Sequence, residues 1–264
     1  MIRKNTLMLL INRIIIPYII ILMITKFYYL IFFKYLENQT EQIQDLSMLI
    51  YVIFSIIISI FFINYYKQDL KIFTRKDKSL LFYLFFALIF TYLYTFIIQF
   101  RFYNLNPINF NFSLNDASFS FLFFIIFIIL DPINEELFFR QVILDYFVKK
   151  RLIITGIIVN SFLFVLGHFL LYHNYNYIQL IDFFLMSVTF SIIRLRFGLL
   201  FSIIAHSFMN FTGLLFDNKI IDVFILDYFR NKIIFWWIWG FGVLIYIMLL
   251  FGFLYNIKKY KYSK

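Results

Sequence analysis

The chain contains no cysteine, and it has only three prolines and seven glycines among its 264 residues. The absence of cysteine excludes disulfide frameworks, thiolate metal sites and a cysteine nucleophile. Charged residues are also scarce, at 14% of the chain, whereas 63% of the residues are hydrophobic. Because soluble domains are nearer to half apolar, this composition favours a membrane protein.

Long uncharged runs predict where the chain crosses the bilayer. The segments 46–66 and 79–100 carry no charged side chain, and a helix of about 20 residues is enough to span the hydrocarbon core. We therefore predict an all-α, polytopic membrane protein with about eight transmembrane helices. The predicted spans are 7–33, 46–66, 79–100, 117–131 continuing as 132–148, 152–172, 178–193, 197–216 and 233–255.

The positions of the basic residues predict the orientation of these spans. Lysines and arginines fall mostly on the side that also holds both termini, as in the segments 67–78 and 149–151. Since cytoplasmic loops carry an excess of positive charge, both termini are predicted to be cytoplasmic. The net charge of +10 is thereby explained by orientation, and we expect no nucleic acid partner.

Two acidic residues lie where a membrane helix should have none. The chain has four glutamates, of which Glu135 and Glu136 are adjacent inside the fourth span, and a charge at that depth costs at least about 2.5 kcal/mol. Arg140 follows Glu136 by one helical turn and can neutralise it, whereas Glu135 points about 100° away and is predicted to be functional. The pair Asp131 and Pro132 resembles an N-cap followed by proline, which predicts that a new helix starts there.

The histidines form the second polar group within the spans. His168 lies in the fifth span, and His206 lies in the seventh, followed one turn later by Asn210 on the same face. With a helical rise of about 1.5 Å per residue from the basic ends of the helices, Glu135, His168, His206 and Asn210 fall in one layer about 11 Å thick. Polar groups that three helices carry to a common depth are expected to meet around a shared, water-accessible cavity.

This set of side chains is suited to peptide hydrolysis without a covalent intermediate. A carboxylate and an imidazole that share a water can deprotonate it as it attacks a carbonyl, while a second imidazole and a carboxamide can stabilise the oxyanion. The sequence contains no Gly-x-Ser-x-Gly and no His-Glu-x-x-His motif, so serine and zincin mechanisms lose support. His173, in a predicted external loop, and Asp182, near the outer end of the sixth span, are assigned no role.

Three motifs carry a family resemblance. The patterns Glu135-Glu136-x-x-x-Arg140, Phe164-x-x-x-His168 and His206-x-x-x-Asn210, in this order, resemble those of the family that contains type II CAAX prenyl endopeptidases, bacteriocin-processing and self-immunity proteins and abortive-infection proteins. The resemblance implies a compact eight-helix membrane fold.

The resemblance also implies a role for each matching residue. Glu135 and His168 would activate water, and His206 and Asn210 would form the oxyanion hole. Glu136 and Arg140 would support helix packing and site geometry. We thus expect one membrane domain over residues 1–264 with a catalytic core at 117–216. It would lie in the cell membrane, need no cofactor and hydrolyse a membrane-associated or lipidated peptide.

Two alternatives to this mechanism remain open. In a zinc-dependent version of the same protease, Glu135, His168 and His206 would be the metal ligands. A non-catalytic self-immunity protein that binds a peptide toxin would carry the same residues. A transporter is disfavoured, because Pro132 has no counterpart in the other half of the chain.

Overall fold

The computed structural model describes residues 11–31, 39–68, 120–171 and 177–217, together with separate positions at 8, 35 and between 237 and 255. All regular structure within these ranges is helical, which confirms the all-α prediction. The predicted span 79–100 lies outside the described residues, and the span 233–255 lies only partly within them. The count of eight spans and the side of the termini therefore stay predictions.

Six helices position the predicted site residues. Helix α1 is Ile16–Ile31, preceded by a π-helical turn at Ile11–Ile15; α2 is Glu41–Tyr65; α3 covers residues 121–149; α4 is Ile153–Leu171; α5 is Tyr177–Arg196; and α6 is Leu199–Asp217. Helix α3 alternates between α-helical and π-helical segments. The α-helical segments are Phe121–Ile125, Asp131–Glu135 and Asp145–Lys149, and the π-helical segments between them are Ile126–Leu130 and Glu136–Leu144.

The helices have the length and the surface of membrane spans. Three of them are long and apolar enough to cross a bilayer, at Ile11–Tyr28, Gln42–Tyr65 and Ile153–Leu170. Their large apolar side chains point outward, since Phe61 and Phe162 are both more than half exposed. Contiguous apolar surface of this kind is unfavourable in water and is expected in contact with lipid. The chain is accordingly an integral membrane protein.

By its internal contacts the chain divides into two compact units. The first contains α1 to α4, in which α2 packs along α3, and α4 packs against both α3 and α1. The second contains α5 and α6, which pack on each other. Their connection passes through Gly198, whose φ of 117° is readily adopted only by glycine.

A glycine controls how closely α4 approaches α3. A Cβ atom added at Gly156 would lie 2.5 Å from the Cβ of Phe147, which is closer than side chains pack. At Gly167, on the same helix, the nearest atom to an added Cβ would be the hydroxyl oxygen of Tyr18 at 3.6 Å, an ordinary contact. Only the first of these glycines is required for helix packing.

We expect Gly156→Ala to lower the free energy of unfolding by about 1–3 kcal/mol, because the added methyl group overpacks the contact between α3 and α4. Gly167→Ala is the matched control and should be neutral, or stabilising by up to about 1 kcal/mol through helix propensity. Thermal unfolding of the two variants in the same detergent measures the difference. Equal loss of stability in both would contradict the packing argument.

Candidate active site

Helix α3 does not restart at Asp131 and Pro132, and the predicted N-cap is wrong. Asp131 has helical angles, with φ −62° and ψ −48°, and its N–H group bonds to the carbonyl of Ile126. That bond closes a π-helical turn, five residues back. Proline has no N–H group and crowds the carbonyl four residues before it, so a wider preceding turn lets the helix continue without a break. Glu135 therefore lies in the interior of a continuous helix.

The predicted ion pair between Glu136 and Arg140 is confirmed. The Nε atom of Arg140 lies 3.3 Å from Oε2 of Glu136, and neither side chain has any exposed surface. The neighbouring Glu135 is half-buried instead. Because adjacent residues on a helix diverge by about 100°, the two carboxylates point to different faces of α3.

Arg140 connects the first motif to the second. Its guanidinium carbon lies 5.0 Å from the ring centroid of Phe164 and 5.8 Å from that of Phe139. The rings of Phe139 and Phe164 meet edge to face at 5.1 Å, and Phe164 is completely buried. A cation held against an aromatic face in a dry interior is stabilised by the ring quadrupole. This contact fixes α4 at the level of the ion pair on α3.

His168 is held by the residue one turn before it. Its Nδ1 atom lies 3.0 Å from the carbonyl oxygen of Phe164, and the two rings are 4.4 Å apart. Since a carbonyl oxygen can only accept, Nδ1 is the donor in this contact. The imidazole is half-buried, and this contact leaves Nε2 as the ring nitrogen that is not bonded to Phe164.

Helix α1 supports this arrangement from behind, a contact that the sequence did not indicate. The hydroxyl group of Tyr18 donates a hydrogen bond of 2.8 Å to the carbonyl of Leu163, and its ring stacks on Phe138 with centroids 6.4 Å apart. Tyr18 is buried, with 6% of its surface exposed. The residue next to Leu163 is Phe164, so α1 is anchored beside the carbonyl that orients His168.

The second unit holds the third motif on α6. His206 is buried and stacks on Phe190 of α5, with ring centroids 4.5 Å apart. Asn210 follows one turn later and is half-buried, so both side chains lie on one face of α6. Phe190 was not predicted, because one phenylalanine among 41 carries no distinguishing signal.

The predicted site residues thus fall into two sets. Glu135, Glu136, Arg140 and His168 lie in the first unit, where aromatic and ionic contacts join the first and second motifs. His206 and Asn210 lie in the second unit. His173 lies outside the described residues. Within the part of the chain that the structure describes, no group of three or more histidine, aspartate and glutamate side chains is arranged to hold a metal ion.

The fold and the site together define a helical integral membrane protein that carries an adjacent pair of acidic residues and two histidines on its helices. A family model described as "Type II CAAX prenyl endopeptidase Rce1-like" matches residues 117–212. The match covers the part of the chain that carries the three motifs, and it supports the predicted family and a CAAX-type protease activity. No curated protein and no solved structure matches the chain.

Proposed function

We propose that this protein is an intramembrane endopeptidase that hydrolyses a peptide bond of a membrane-associated or lipidated peptide. The observation that carries the proposal is the contact series from the Glu136 and Arg140 ion pair through Phe164 to His168. It brings the acidic motif and the first histidine motif together in one unit, in which Nδ1 of His168 lies 3.0 Å from the carbonyl oxygen of Phe164. The family match at residues 117–212 supports the same activity.

In the proposed reaction, Glu135 and His168 activate one water molecule. Glu135 accepts a proton from the water, and Nε2 of His168 accepts a hydrogen bond from it and orients it toward the scissile carbonyl. The water oxygen bonds to the carbonyl carbon and gives a tetrahedral intermediate. The carbon–nitrogen bond then breaks as Glu135 returns its proton to the leaving amine. No bond forms between enzyme and substrate.

His206 and Asn210 are proposed to stabilise the oxyanion of that intermediate. An imidazole N–H and a carboxamide N–H are donors of the type found in oxyanion holes, and they act most strongly where water is excluded. The stacking of His206 on Phe190 fixes the plane of its ring. Fixed donors of this kind need no reorganisation as the charge develops.

We expect His206→Ala and Asn210→Ala each to lower kcat by about 10²–10³-fold, because loss of one oxyanion donor removes stabilisation of the transition state. KM should change little, since the oxyanion does not exist in the bound substrate. Steady-state kinetics on a fluorogenic peptide separates the two constants. A rise in KM at constant kcat would instead assign these residues to substrate binding.

The direct test of the function is cleavage by detergent-purified protein. Quenched fluorescent peptides that differ only in a prenyl group on a cysteine near the C-terminus should be compared, with and without a zinc chelator. Cleavage that survives chelation supports the proposal, and preference for the prenylated peptide identifies the substrate class. Activity that is lost with chelator and restored by zinc would overturn the metal-free mechanism. Absence of cleavage, together with binding of a peptide toxin, would support the self-immunity function instead.

A further inference from the structure

Helix α2 carries a line of hydroxyl groups along one side. Ser47, Tyr51, Ser55 and Ser59 each follow the previous one by four residues. Residues at this spacing lie above one another on a helix, at steps of about 6 Å along its axis. Hydroxyl groups inside a membrane span cannot bond to bulk water, so each of the four needs a hydrogen-bond partner within the protein or an ordered water molecule.

The first two hydroxyl groups are satisfied by α1. The hydroxyl groups of Tyr28 and Ser47 are 3.3 Å apart, and the hydroxyl groups of Thr25 and Tyr51 are 2.8 Å apart. The residue number falls on α1 as it rises on α2, so the two helices are antiparallel. Ser47 and Tyr51 are thus both hydrogen-bonded directly to side chains of α1.

The lower two hydroxyl groups have no such neighbour on α1. Continuing the antiparallel register by one turn places Ile21 level with Ser55, and a further turn places Pro17 level with Ser59. Both α1 residues have hydrocarbon side chains, and neither can accept or donate a hydrogen bond through its side chain. Any partner for Ser55 and Ser59 has to come from elsewhere.

Helix α3 provides a polar residue at the same level. Two hydrogen bonds join the ends of the two helices: the hydroxyl group of Ser120, the N-cap of α3, donates to Asp45 on α2, and Nε2 of Gln68, three residues beyond the end of α2, donates to the carbonyl of Val142 at 3.0 Å. Between these ends, α2 packs against the segment Asp131–Glu135 of α3. The partners of these bonds are 75 and 74 residues apart in the sequence. Because this separation is nearly the same at both ends, α2 and α3 run parallel.

With the offset of 75 residues between Asp45 and Ser120, we infer that Ser59 lies level with Asn134, the residue before Glu135. Ser59 follows Asp45 by 14 residues, which is within about 40° of four full helical turns. It therefore faces the same side as Asp45, whose carboxylate reaches the start of α3.

Three polar atoms at this level or one helical turn from it are buried without a partner among the described residues. Ser55 and Ser59 are 1% and 0% exposed, and Asn134 is 8% exposed. Among the described residues, no hydrogen-bond partner lies near Oγ of either serine or near Oδ1 of Asn134. Buried polar atoms in native proteins are nearly always satisfied, and ordered water provides the bond where protein groups do not.

We propose that Ser55, Ser59 and Asn134 form a binding site for ordered water beside Glu135, within the membrane-spanning part of the first unit. Serine hydroxyl groups can donate and accept, and Oδ1 of the carboxamide accepts, which gives a water molecule the two to four partners that it needs. The two serines lie on α2, outside the residues that match the family model. The link of this water to hydrolysis rests on the proposed function, because Glu135 is the residue that follows Asn134 on α3.

The site is tested with Ser59→Ala, which removes one hydroxyl group, and Asn134→Leu, which replaces the carboxamide by a branched hydrocarbon side chain with the same number of heavy atoms. Ser47→Ala is the matched control, because Ser47 lies on the same helix and its hydroxyl group already donates to the carbonyl of Gln44. We expect each test variant to lower kcat about tenfold, with KM within about twofold of wild type and with the control unchanged. A structure at a resolution that shows water should have density within hydrogen-bonding distance of Ser59 and Asn134.

Each outcome decides the proposal. Absence of water density, together with a Ser59→Ala variant that has a higher Tm and unchanged kcat, would overturn it, because removing an unsatisfied hydroxyl group is stabilising. Water density with unchanged kcat would support the site and overturn its link to catalysis. If the wild-type protein cleaves no peptide, the proposed function fails, and density and Tm still decide whether the water site exists.

Discussion

Glu135→Gln should lower the rate of peptide cleavage by about 10²–10⁴-fold, the range in which a general base contributes. The amide of glutamine cannot accept the proton of the attacking water, while its size and shape are those of the carboxylate that it replaces. Glu135 is half-buried in the α-helical segment Asp131–Glu135 of α3. We therefore expect the fold to be retained and the loss to appear in kcat.

A second carboxylate on α3 gives the control for this prediction. Asp145 lies at the end of the same helix and pairs with Lys149 at 3.2 Å, and the lysine side chain is 41% exposed. The Asp145 side chain is 12% exposed, and because Lys149 reaches solvent, removal of the carboxylate leaves no buried cation behind. Asp145→Asn should thus leave cleavage within about twofold of wild type. A Glu135→Gln variant that is as active as the Asp145→Asn control would disprove the role of Glu135 as base.

The ion pair on α3 could be predicted from the sequence because local geometry decides it. Glu136 and Arg140 are one turn apart, and inside a membrane span a charge has to find a partner close by. The spacing of His206 and Asn210 likewise places them on one face of whatever helix contains them. Both inferences need only the helical period and the depth of the residues.

The form of α3 could not be predicted in the same way. Asp131 and Pro132 have the composition of a helix start, yet the chain continues through them by way of a π-helical turn. Pro132 has no N–H group, and this is compatible both with the start of a new helix at that residue and with a continuous helix that has a wider, π-helical turn before it. The choice between them depends on the helices packed alongside, and α2 packs along this part of α3.

The aromatic contacts of the histidines also could not be predicted from the sequence. Phe164 and Phe190 each lie against one histidine, and Tyr18 bonds to a carbonyl on the histidine helix. Aromatic residues make up 24% of the chain, so composition hides the few that touch the site. Only the tertiary structure distinguishes them from the many that face lipid.

Arg140→Met should lower the free energy of unfolding by about 3–5 kcal/mol, because it leaves the carboxylate of Glu136 buried without its cation. Both side chains of the pair have no exposed surface, so water cannot replace the lost partner. The double variant Glu136→Leu with Arg140→Met removes both charges and fills their volume with hydrocarbon. Such replacements of a buried pair are often neutral or stabilising, and we expect the double variant to recover most of the lost stability. Unfolding of the two variants in one detergent measures both values.

Cleavage by the double variant then separates packing from positioning. In the native protein the guanidinium of Arg140 lies over the ring of Phe164, and the carbonyl of Phe164 accepts the bond from His168. If the pair serves only to neutralise charge, the recovered fold should recover full activity. If Arg140 also holds Phe164 in place, the double variant should be stable and still turn over about 10- to 100-fold more slowly, because small displacements of a catalytic group are costly. We expect the second result, since a methionine has no charge to fix it against the aromatic ring.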